Sequence, residues 1–410
     1  MPWRETSPME QRLEFVREYA TELFTMTELA AQYGISRKTG YKWVERYEAD
    51  GADGLRDRSR RPHESPQATD AELIEALLMQ RRRHPRWGAT KLLALATRRE
   101  PEAAWPSRST VCTHLKTNGF VHSARRRSRP PHGRPASLQP IIAANDVWTT
   151  DFKGEFRTGD GIYCYPLTLR DGFSRYVLRC DGLLSRTLAA TQQRFARAFA
   201  EYGLPTRIRS DNGLPFASPG VGGLSTLSVW WIRLGIVPER IAPGHPEQNG
   251  SHEQFHRVLK AETARPPAPN GRAQQQRFRR FIREYNEVRP HEALGNASPA
   301  SRYAPSPRLL PRRLPPLEYP GHMEPRRVSS CGTVSWAGIP LFVATALAGE
   351  YIAFEEVDDG LWTLWFAAVA LARYDERHRS IHPITPQMTA GRSASFAGSA
   401  PDLKNGKHDG

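Results

Sequence analysis

Apolar residues recur at helical spacing near the start of the chain and in short, strand-like runs farther along. Residues 9 to 51 have the helical pattern, and Gly34 supplies a sharp turn between two of the helices. Ser36 suits the N-cap of the helix that follows the turn. Residues 1–55 therefore predict a helix–turn–helix DNA-binding domain, with a plain helical hairpin as the alternative.

The helix after this turn divides its side chains between two faces. Trp43, Val44 and Tyr47 would pack inward, and Gly40 would cost about 1 kcal/mol relative to alanine. The outward face is basic and aromatic, and a polyanion such as DNA would attract it. Its residues are Arg37, Lys38, Tyr41 and Lys42.

A second helical segment covers residues 70–121, where the pattern is less specific. Its last helix would begin at Ser107 or Ser109. A second DNA-binding helical domain and a generic three-helix bundle both fit. Residues 122–145 then form a basic linker, and we expect its arginine run to lie along phosphates. The run contains Arg125, Arg126 and Arg127.

Between residues 146 and 300, short apolar runs are followed by helical patterns. The runs predict a three-strand meander and two later strands: Val147 to Phe152, Ile162 to Arg170, Tyr176 to Cys180, Arg207 to Ser210 and Ile236 to Ile241. Helices are predicted at Ser185 to Tyr202, Leu224 to Leu234, Ser251 to Ala264 and Gln274 to Val288. This order predicts a mixed sheet with flanking helices, in a multidomain α/β chain.

The last hundred residues change character twice. Residues 304 to 320 are rich in proline and predict a stiff linker. Residues 326–380 alternate apolar and polar positions, which predicts a small β-barrel-like domain. Residues 385–410, rich in serine, glycine and alanine, predict a disordered tail.

The amino-acid composition limits the kinds of molecule that the protein could bind. The 410 residues carry 58 Lys and Arg against 43 Asp and Glu, a net charge of +15 that favours a nucleic acid or an anionic membrane. The longest nearly apolar stretch, Gly338 to Gly349, is shorter than the roughly 20 residues of a spanning helix. The charged N-terminus has no signal-peptide core, so we expect a cytoplasmic protein, nucleoid-associated in a prokaryote. Four scattered cysteines without a Cys-x-x-Cys pair argue against disulfides and structural zinc.

Three acidic residues have the most informative surroundings. Asp151 and Asp211 end short strand-like runs, and Glu253 opens a helix. Carboxylates delivered from these positions can converge into an all-oxygen site, which suits Mg²⁺ or Mn²⁺. Two such ions can activate a hydroxyl and stabilise the leaving oxygen at a phosphodiester.

Four short motifs follow one another along the chain in the order found in a known protein family. They are Trp148-Thr149-Thr150-Asp151, Ser210-Asp211-Asn212-Gly213, Gln248-Asn249-Gly250-Ser251-His252-Glu253 and Tyr285-Asn286-Glu287-Val288-Arg289-Pro290-His291. With these motifs the chain resembles insertion-sequence transposases of the retroviral-integrase type, whose catalytic core has the RNase H-like fold. The resemblance implies that Asp151, Asp211 and Glu253 are the catalytic, metal-binding Asp-Asp-Glu triad.

The spacing of the third carboxylate departs from the family. The family commonly has 35 residues between the second Asp and the Glu, whereas Glu253 follows Asp211 by 42 positions and Glu247 follows it by 36. Spacing alone would select Glu247. We select Glu253 because it lies three residues after Gly250, as the family's Glu does after its glycine. The glycine-rich loop at residues 218 to 223 accommodates the extra residues.

Two cations share a helix face with Glu253. Arg257 and Lys260 lie four and seven residues later, where they can hold DNA phosphates. The alternative for Arg257 is an ion pair with Glu253 within the helix.

The resemblance implies a DNA transposase that binds the terminal repeats of a mobile element. It would hydrolyse a phosphodiester and transfer the strand to target DNA, with two Mg²⁺ ions or Mn²⁺ in their place. Partners would be double-stranded DNA and further copies of the chain, without a membrane or a nucleotide cofactor. The alternative is a catalytically silent regulator or captured transposase that acts as a scaffold. An RNA-cleaving relative fits less well, because a helix–turn–helix suits the DNA major groove.

Overall fold

The computed structural model describes residues 7–58, 69–121, 140–152, 154–218, 221–241 and 246–384. At Val221, Pro246 and Glu247 it describes the backbone alone. The chain divides into two compact units, Met1–Asp70 and Ala71–Gly410. The predicted phosphate contacts in the linker and the predicted disordered tail lie outside the described residues.

The described residues of the first unit form three helices and a 3₁₀ turn after the third. Ser36 caps α3 as the sequence predicts, accepting the backbone N–H of Thr39 at 3.2 Å. Thr25 caps α2 in a capping box with Glu28. The elements are α1 (Pro8–Ala20), α2 (Met26–Gln32), α3 (Arg37–Asp50) and the turn Gly51–Leu55.

Close packing in this unit depends on Gly40. A Cβ there would lie 2.5 Å from the Met26 sulfur and 2.9 Å from the Phe15 ring. The glycine that costs helix propensity therefore allows α3 to approach α1 and α2. The predicted outward residues Arg37, Lys38, Tyr41 and Lys42 are exposed on the opposite side.

The second unit begins with three helices, α4 (Ala71–Arg83), α5 (Ala89–Arg99) and α6 (Arg108–Thr117), around their own apolar core. This bundle also contacts the irregular end of a later helix. His84 Nδ1 lies 2.8 Å from a Glu284 carboxylate oxygen, and the Arg98 guanidinium donates to the Val288 carbonyl at 2.7 Å.

A mixed sheet forms the centre of this unit, as predicted; in the described residues it has six strands, the five predicted ones and the short β2. Its order is β2-β3-β1-β5-β6, and β4 also pairs with β3. The β1–β3 and β3–β4 pairs are antiparallel, and β1, β5 and β6 run parallel. The strands are β1 (Val147–Phe152), β2 (Phe156–Arg157), β3 (Tyr163–Asp171), β4 (Val177–Leu183), β5 (Arg207–Ser210) and β6 (Val237–Arg240).

Helices cover both faces of the sheet because β3 alternates its side chains. Leu167 and Leu169 join the core formed with α7 and α8, whereas Thr168 and Arg170 contact α9 on the other face. The helices are α7 (Leu188–Tyr202), α8 (Thr226–Arg233), α9 (Gly250–Thr263) and α10 (Gly271–Arg283), which continues into a π-helical turn (Glu284–Val288). In the described ranges no helix is both long and apolar enough to cross a membrane.

The expectation of a C-terminal β-barrel is wrong. Five antiparallel strands form an open sheet in the order β13-β12-β11-β10-β7, and β8 and β9 form a separate hairpin. Closure is unnecessary because Leu224, Val229 and Ile232 from the α8 region cover the apolar side chains of this sheet. The strands are β7 (Glu324–Arg327), β8 (Thr333–Trp336), β9 (Ile339–Phe342), β10 (Tyr351–Asp358), β11 (Leu361–Phe366), β12 (Val369–Asp375) and β13 (Ser380–Pro383).

The start of the proline-rich segment lies along the core. The Ser306 amide donates to the Tyr202 carbonyl at 2.8 Å, and the Arg308 carbonyl accepts from the Leu204 amide at 2.7 Å. The Arg308 guanidinium donates to the Pro205 carbonyl at 2.8 Å. The part of the predicted linker up to residue 308 is therefore fixed to the loop after α7.

Candidate active site

Strand register places Asp151 and Asp211 at the same level. In the parallel β1–β5 pair, Val147 is opposite Arg207 and Thr149 is opposite Arg209, a constant offset of 60 positions. Asp151 and Asp211 have the same offset, two residues beyond the last pair. Asp151 belongs to β1 and Asp211 directly follows β5, so both residues lie near the carboxyl ends of neighbouring strands, which are roughly 4.8 Å apart.

Asp151 is held by groups on two other elements. Its backbone carbonyl accepts the Thr168 hydroxyl from β3 at 3.0 Å. Its Oδ2 lies 3.4 Å from Nδ1 of His256, a buried residue of α9. The carboxylate itself is half-buried, so one side of it remains open to solvent.

A buried cluster of two histidines and two threonines fixes α9 to the sheet. Nε2 of His252 and Nε2 of His256 each lie 2.7 Å from the Thr168 hydroxyl oxygen. Since Thr168 donates its single proton to the Asp151 carbonyl, both histidines donate to it. Burial keeps the pKa of His252 well below its usual value, and its Nδ1 lies 2.8 Å from the Thr149 hydroxyl oxygen, which also donates to the Arg170 carbonyl at 3.3 Å.

Asp211 has an oxygen that the fold does not satisfy. Within the described residues, its buried Oδ1 has no hydrogen-bond partner. Burial raises the pKa of this carboxyl, while the Gly213 amide and the charge of Arg186 act in the opposite direction. A buried carboxylate oxygen without a partner is costly, and a bound cation would remove that cost.

Glu253 lies in the first turn of α9, but its side chain is exposed. His252 and His256 lie on the buried face of the helix. Glu253 follows His252 directly, so its side chain points away from the sheet by about one residue's rotation around the helix axis. In the part of the chain that the structure describes, no three His, Cys, Asp or Glu residues are close enough to hold a metal ion. The register of β1 and β5 thus sets the two aspartates near neighbouring strand ends, and Glu253 is exposed on α9.

The other residues predicted to contact DNA differ in their exposure to solvent and lie in both units. Arg257 is exposed and Lys260 is half-buried, both on α9. In the first unit the Lys42 ammonium lies 4.3 Å from the centre of the Trp43 ring.

Sequence reasoning missed the roles of His252, His256 and Thr168. The two histidines are four residues apart and in helical phase with Phe255 and Leu259, which are buried. That phase was a usable indication that both rings face the sheet. Nothing in the sequence near Thr168 indicates that its hydroxyl links α9 to Asp151.

Four family models match the chain in the expected order. A helix–turn–helix domain matches residues 11–63, and a homeodomain-like domain matches residues 39–115. Two models described as integrase core domain match residues 143–246 and residues 234–299. The predicted order of DNA-binding helices followed by an integrase core is therefore confirmed.

Two bacterial relatives are insertion-element proteins. The insertion element IS476 protein of Xanthomonas euvesicatoria is 27% identical over 243 residues, which are 58% of this chain and 65% of that protein, just under two thirds of it. The insertion element IS407 protein of Burkholderia multivorans is 26% identical over 248 residues, covering 58% of this chain and 82% of the relative. Both are named as uncharacterized proteins.

Solved structures similar to this chain include viral integrases. The HTLV-2 integrase catalytic core domain in complex with magnesium is 15% identical, covering 40% of this chain and 98% of that chain, with a TM-score of 0.30. The simian T-cell lymphotropic virus intasome is 15% identical over 76% of this chain and all of that chain, with a TM-score of 0.36. The core-domain matches and the insertion-element relatives support the predicted resemblance to insertion-sequence transposases of the retroviral-integrase type.

Proposed function

We propose that this chain is an active DNA transposase that cuts and joins the ends of its element at Asp151, Asp211 and Glu253. The observation that carries the proposal is the shared offset of 60 positions, which sets both aspartates at neighbouring strand ends. Carboxylates carried by the ends of adjacent strands are suited to sharing a cation. A structural core would gain nothing from that arrangement.

The donor set fits Mg²⁺ or Mn²⁺. Asp151 has an open side, and the buried Oδ1 of Asp211 has no partner in the described residues. Hard oxygen donors of this kind suit these ions, and Glu253 would complete the set from α9. When bound, the ions would lower the pKa of an attacking water or 3′-hydroxyl and neutralise the leaving oxygen.

The surrounding side chains would orient the carboxylates and the DNA. His256 and Thr168 hold Asp151 from both sides, through its Oδ2 and its carbonyl. Because Glu253 is in the first helical turn, the positive end of the α9 dipole stabilises its charge. Arg257 and Lys260 would attract DNA phosphates along the exposed side of the same helix.

The first unit would supply most of the sequence-specific DNA contact. The exposed Arg37, Lys38 and Lys42 begin α3, the second helix of the helix–turn–helix pair. In such a pair the start of the second helix enters the major groove. Cutting both ends of an element in one event would use at least two copies of the chain, so we propose a multimer assembled on DNA.

The experiment measures cleavage and strand transfer on labelled duplexes that carry the DNA flanking this gene. Asp211→Asn removes one charge without changing shape. Substituting groups that merely support metal ligands costs about 10- to 100-fold, so the Asp211 substitution should cost at least about 100-fold. Asp160→Asn is the matched control, because Asp160 is an exposed residue at a hairpin tip.

The third carboxylate is tested in the same assay by Glu253→Gln and Glu247→Gln. We expect loss of cleavage in the first and near-normal cleavage in the second, with DNA binding retained in both. The reverse pattern would transfer the catalytic role to Glu247. Wild-type cleavage by Asp211→Asn, or none by the unmodified protein in Mg²⁺ and Mn²⁺, would leave the silent DNA-binding scaffold as the better account.

A further inference from the structure

A basic cavity lies beside α9, next to the surface where that helix contacts Asp151. Its volume is about 510 Å³. Its deeper wall contains the buried residues Arg170, Phe255, Tyr285 and Arg289, and its mouth includes the exposed Gln254. Lys91 of α5 contributes to the wall, so four separate segments of the second unit enclose the space: α5, the end of β3 with the turn after it, α9, and the residues that follow α10.

Positive charge dominates the lining. Arg170, Arg175, Arg289 and Lys91 contribute four cations, against the exposed Glu292 as the one acidic lining residue. Arg289 is neutralised by Glu262 at 3.0 Å. The other three cations form no ion pair with a carboxylate among the described residues.

Arg170 and Arg175 converge on a neutral group instead. Both guanidiniums donate to the Ser251 hydroxyl, and Arg170 also donates to the Ser251 carbonyl at 3.0 Å. Two cations around one hydroxyl repel each other, and a serine oxygen cannot neutralise them. The arrangement is therefore short of negative charge.

Two lining residues each have a buried polar side-chain atom without a partner within the described ranges. The atoms are Nε of Arg170, a residue that is 2% exposed, and Nε2 of His291. Burial, followed by the charge of Arg289, lowers the pKa of Lys91 to about 8. Burial, followed by the charge of Lys91, lowers the pKa of His291 to about 3. A bound anion would reduce the repulsion among these cations and would favour the protonated forms of Lys91 and His291.

We propose that this cavity binds one phosphate of the DNA backbone, a role that rests on the proposed function of the chain. Ser251, which both arginines contact, is two residues before Glu253 on the same helix. A phosphate held here would fix the strand on one side of α9, while His252 and His256 fix the other side to the sheet beside Asp151. The cavity also gives a role to the motif Tyr285 to His291, three of whose residues line it.

The first test measures binding of the full-length protein to a labelled duplex of arbitrary sequence, by fluorescence anisotropy without divalent ions. The test variant carries Lys91→Gln and Arg175→Gln. The matched control carries Arg197→Gln and Arg279→Gln, which remove the same charge from exposed positions on α7 and α10. Each neutralised phosphate contributes about 0.9 to the slope of log affinity against log salt. We expect the slope to fall by about 1 in the test variant and to be unchanged in the control.

A second measurement needs no substitution. The Lys91 amine of the wild-type protein is acylated with a water-soluble ester, and the modified peptide is quantified by mass spectrometry. Duplex DNA should slow this reaction several-fold, and millimolar inorganic phosphate should slow it to a lesser extent. Lys116, an exposed residue of α6, serves as the internal reference.

The outcomes are separable. Equal salt slopes in both double variants, together with unprotected Lys91, would overturn the proposal. Protection by inorganic phosphate but not by DNA would assign the cavity to a free anion, and protection that depends on protein concentration alone would assign it to a second copy. Since no divalent ion is present, a chain that never cleaves DNA would leave these results unaffected. Failure of the wild-type protein to bind any duplex would count against the proposed function first.

Discussion

Buried arginines on two strands of the central sheet, β5 and β3, have different kinds of partner. On β5, Arg207 lies 2.9 Å from an Asp146 carboxylate oxygen, and Arg209 lies 2.7 Å from Glu239. On β3, Arg170 is equally buried but contacts the Ser251 backbone and hydroxyl and lies 5.5 Å from the Phe255 ring centre.

The difference distinguishes arginines that stabilise the fold from arginines that are available to bind a ligand. A buried ion is most stable when it is paired with an opposite charge, and both β5 arginines have such a carboxylate partner within the chain, although Nη2 of Arg209 has no hydrogen-bond partner among the described residues. Arg170 and its neighbour Arg175 lack a carboxylate partner in the described residues and would gain one from an anion. The same residue type therefore maintains the fold on one strand and prepares a binding site on another.

The largest effect should come from breaking a complete pair. Arg209→Met leaves Glu239, which is 8% exposed, with only Arg207 at 3.5 Å. Removing one partner of a buried ion pair costs about 3–5 kcal/mol, and since Arg207 remains near Glu239 we expect a loss at the lower end of that range, measured by urea denaturation of the variant. Arg197→Met at an exposed site of α7 is the control and should change stability by less than about 0.5 kcal/mol.

Arg170→Met should cost less, because no carboxylate of the described residues lies within ion-pair distance of Arg170, and the buried Asp171 loses only a more distant positive charge. The variant forfeits hydrogen bonds to Ser251, each worth about 0.5–1.5 kcal/mol or somewhat more from a charged donor, and it removes an unpaired buried cation. We expect a net loss below about 2 kcal/mol in the same denaturation experiment. A loss equal to that of Arg209→Met would show that the two arginine groups do not differ as argued.

Inorganic phosphate should stabilise the wild-type protein through the basic cavity. Occupancy at ten times the dissociation constant contributes about 1.4 kcal/mol. The thermal midpoint should therefore rise more in phosphate than in chloride of equal ionic strength. Arg175→Gln should lose most of that excess, since general salting effects act on both proteins alike. An identical excess in the variant would place the phosphate elsewhere.

The smallest effect concerns His291 and pH. Its folded pKa of about 3 is below the ordinary 6.5, so the unfolded chain binds more protons between these values. Its contribution to stability is complete above pH 6.5 and declines as pH falls, by less than about 1 kcal/mol at pH 6. His291→Gln should flatten the decline in urea midpoint between pH 7 and 6. A decline of unchanged steepness would mean that other groups cause it.

Local patterns predicted the parts of the fold that local physics determines. The run from Val147 to Phe152 and the run from Arg207 to Ser210 are strands with the predicted bounds, because short apolar segments between turn residues allow little else. The candidate aspartates follow from the same segments. Whether the C-terminal strands close was not predictable in this way, since alternation determines strands and not their partners.

The parts that were missed depend on residues far apart in the chain. The His256 contact with Asp151 joins positions that are more than a hundred residues apart, and the basic cavity combines Lys91, Arg170 and Tyr285. Each of these side chains alone has an ordinary interpretation. The β1–β3 register and the packing of α9 bring these side chains together. Neither of these long-range arrangements can be predicted from a single segment of the sequence.

The position of α8 has a consequence for how this protein could be divided or recombined. Leu227 and Trp231 belong to the core of the central sheet, whereas Val229 and Ile232 belong to the core of the C-terminal sheet. Cutting the chain in the proline-rich segment would strip one side of an eight-residue helix and expose its apolar residues to water. The C-terminal sheet is therefore not an interchangeable module: a chimera that takes it from a relative must take that relative's α8 as well.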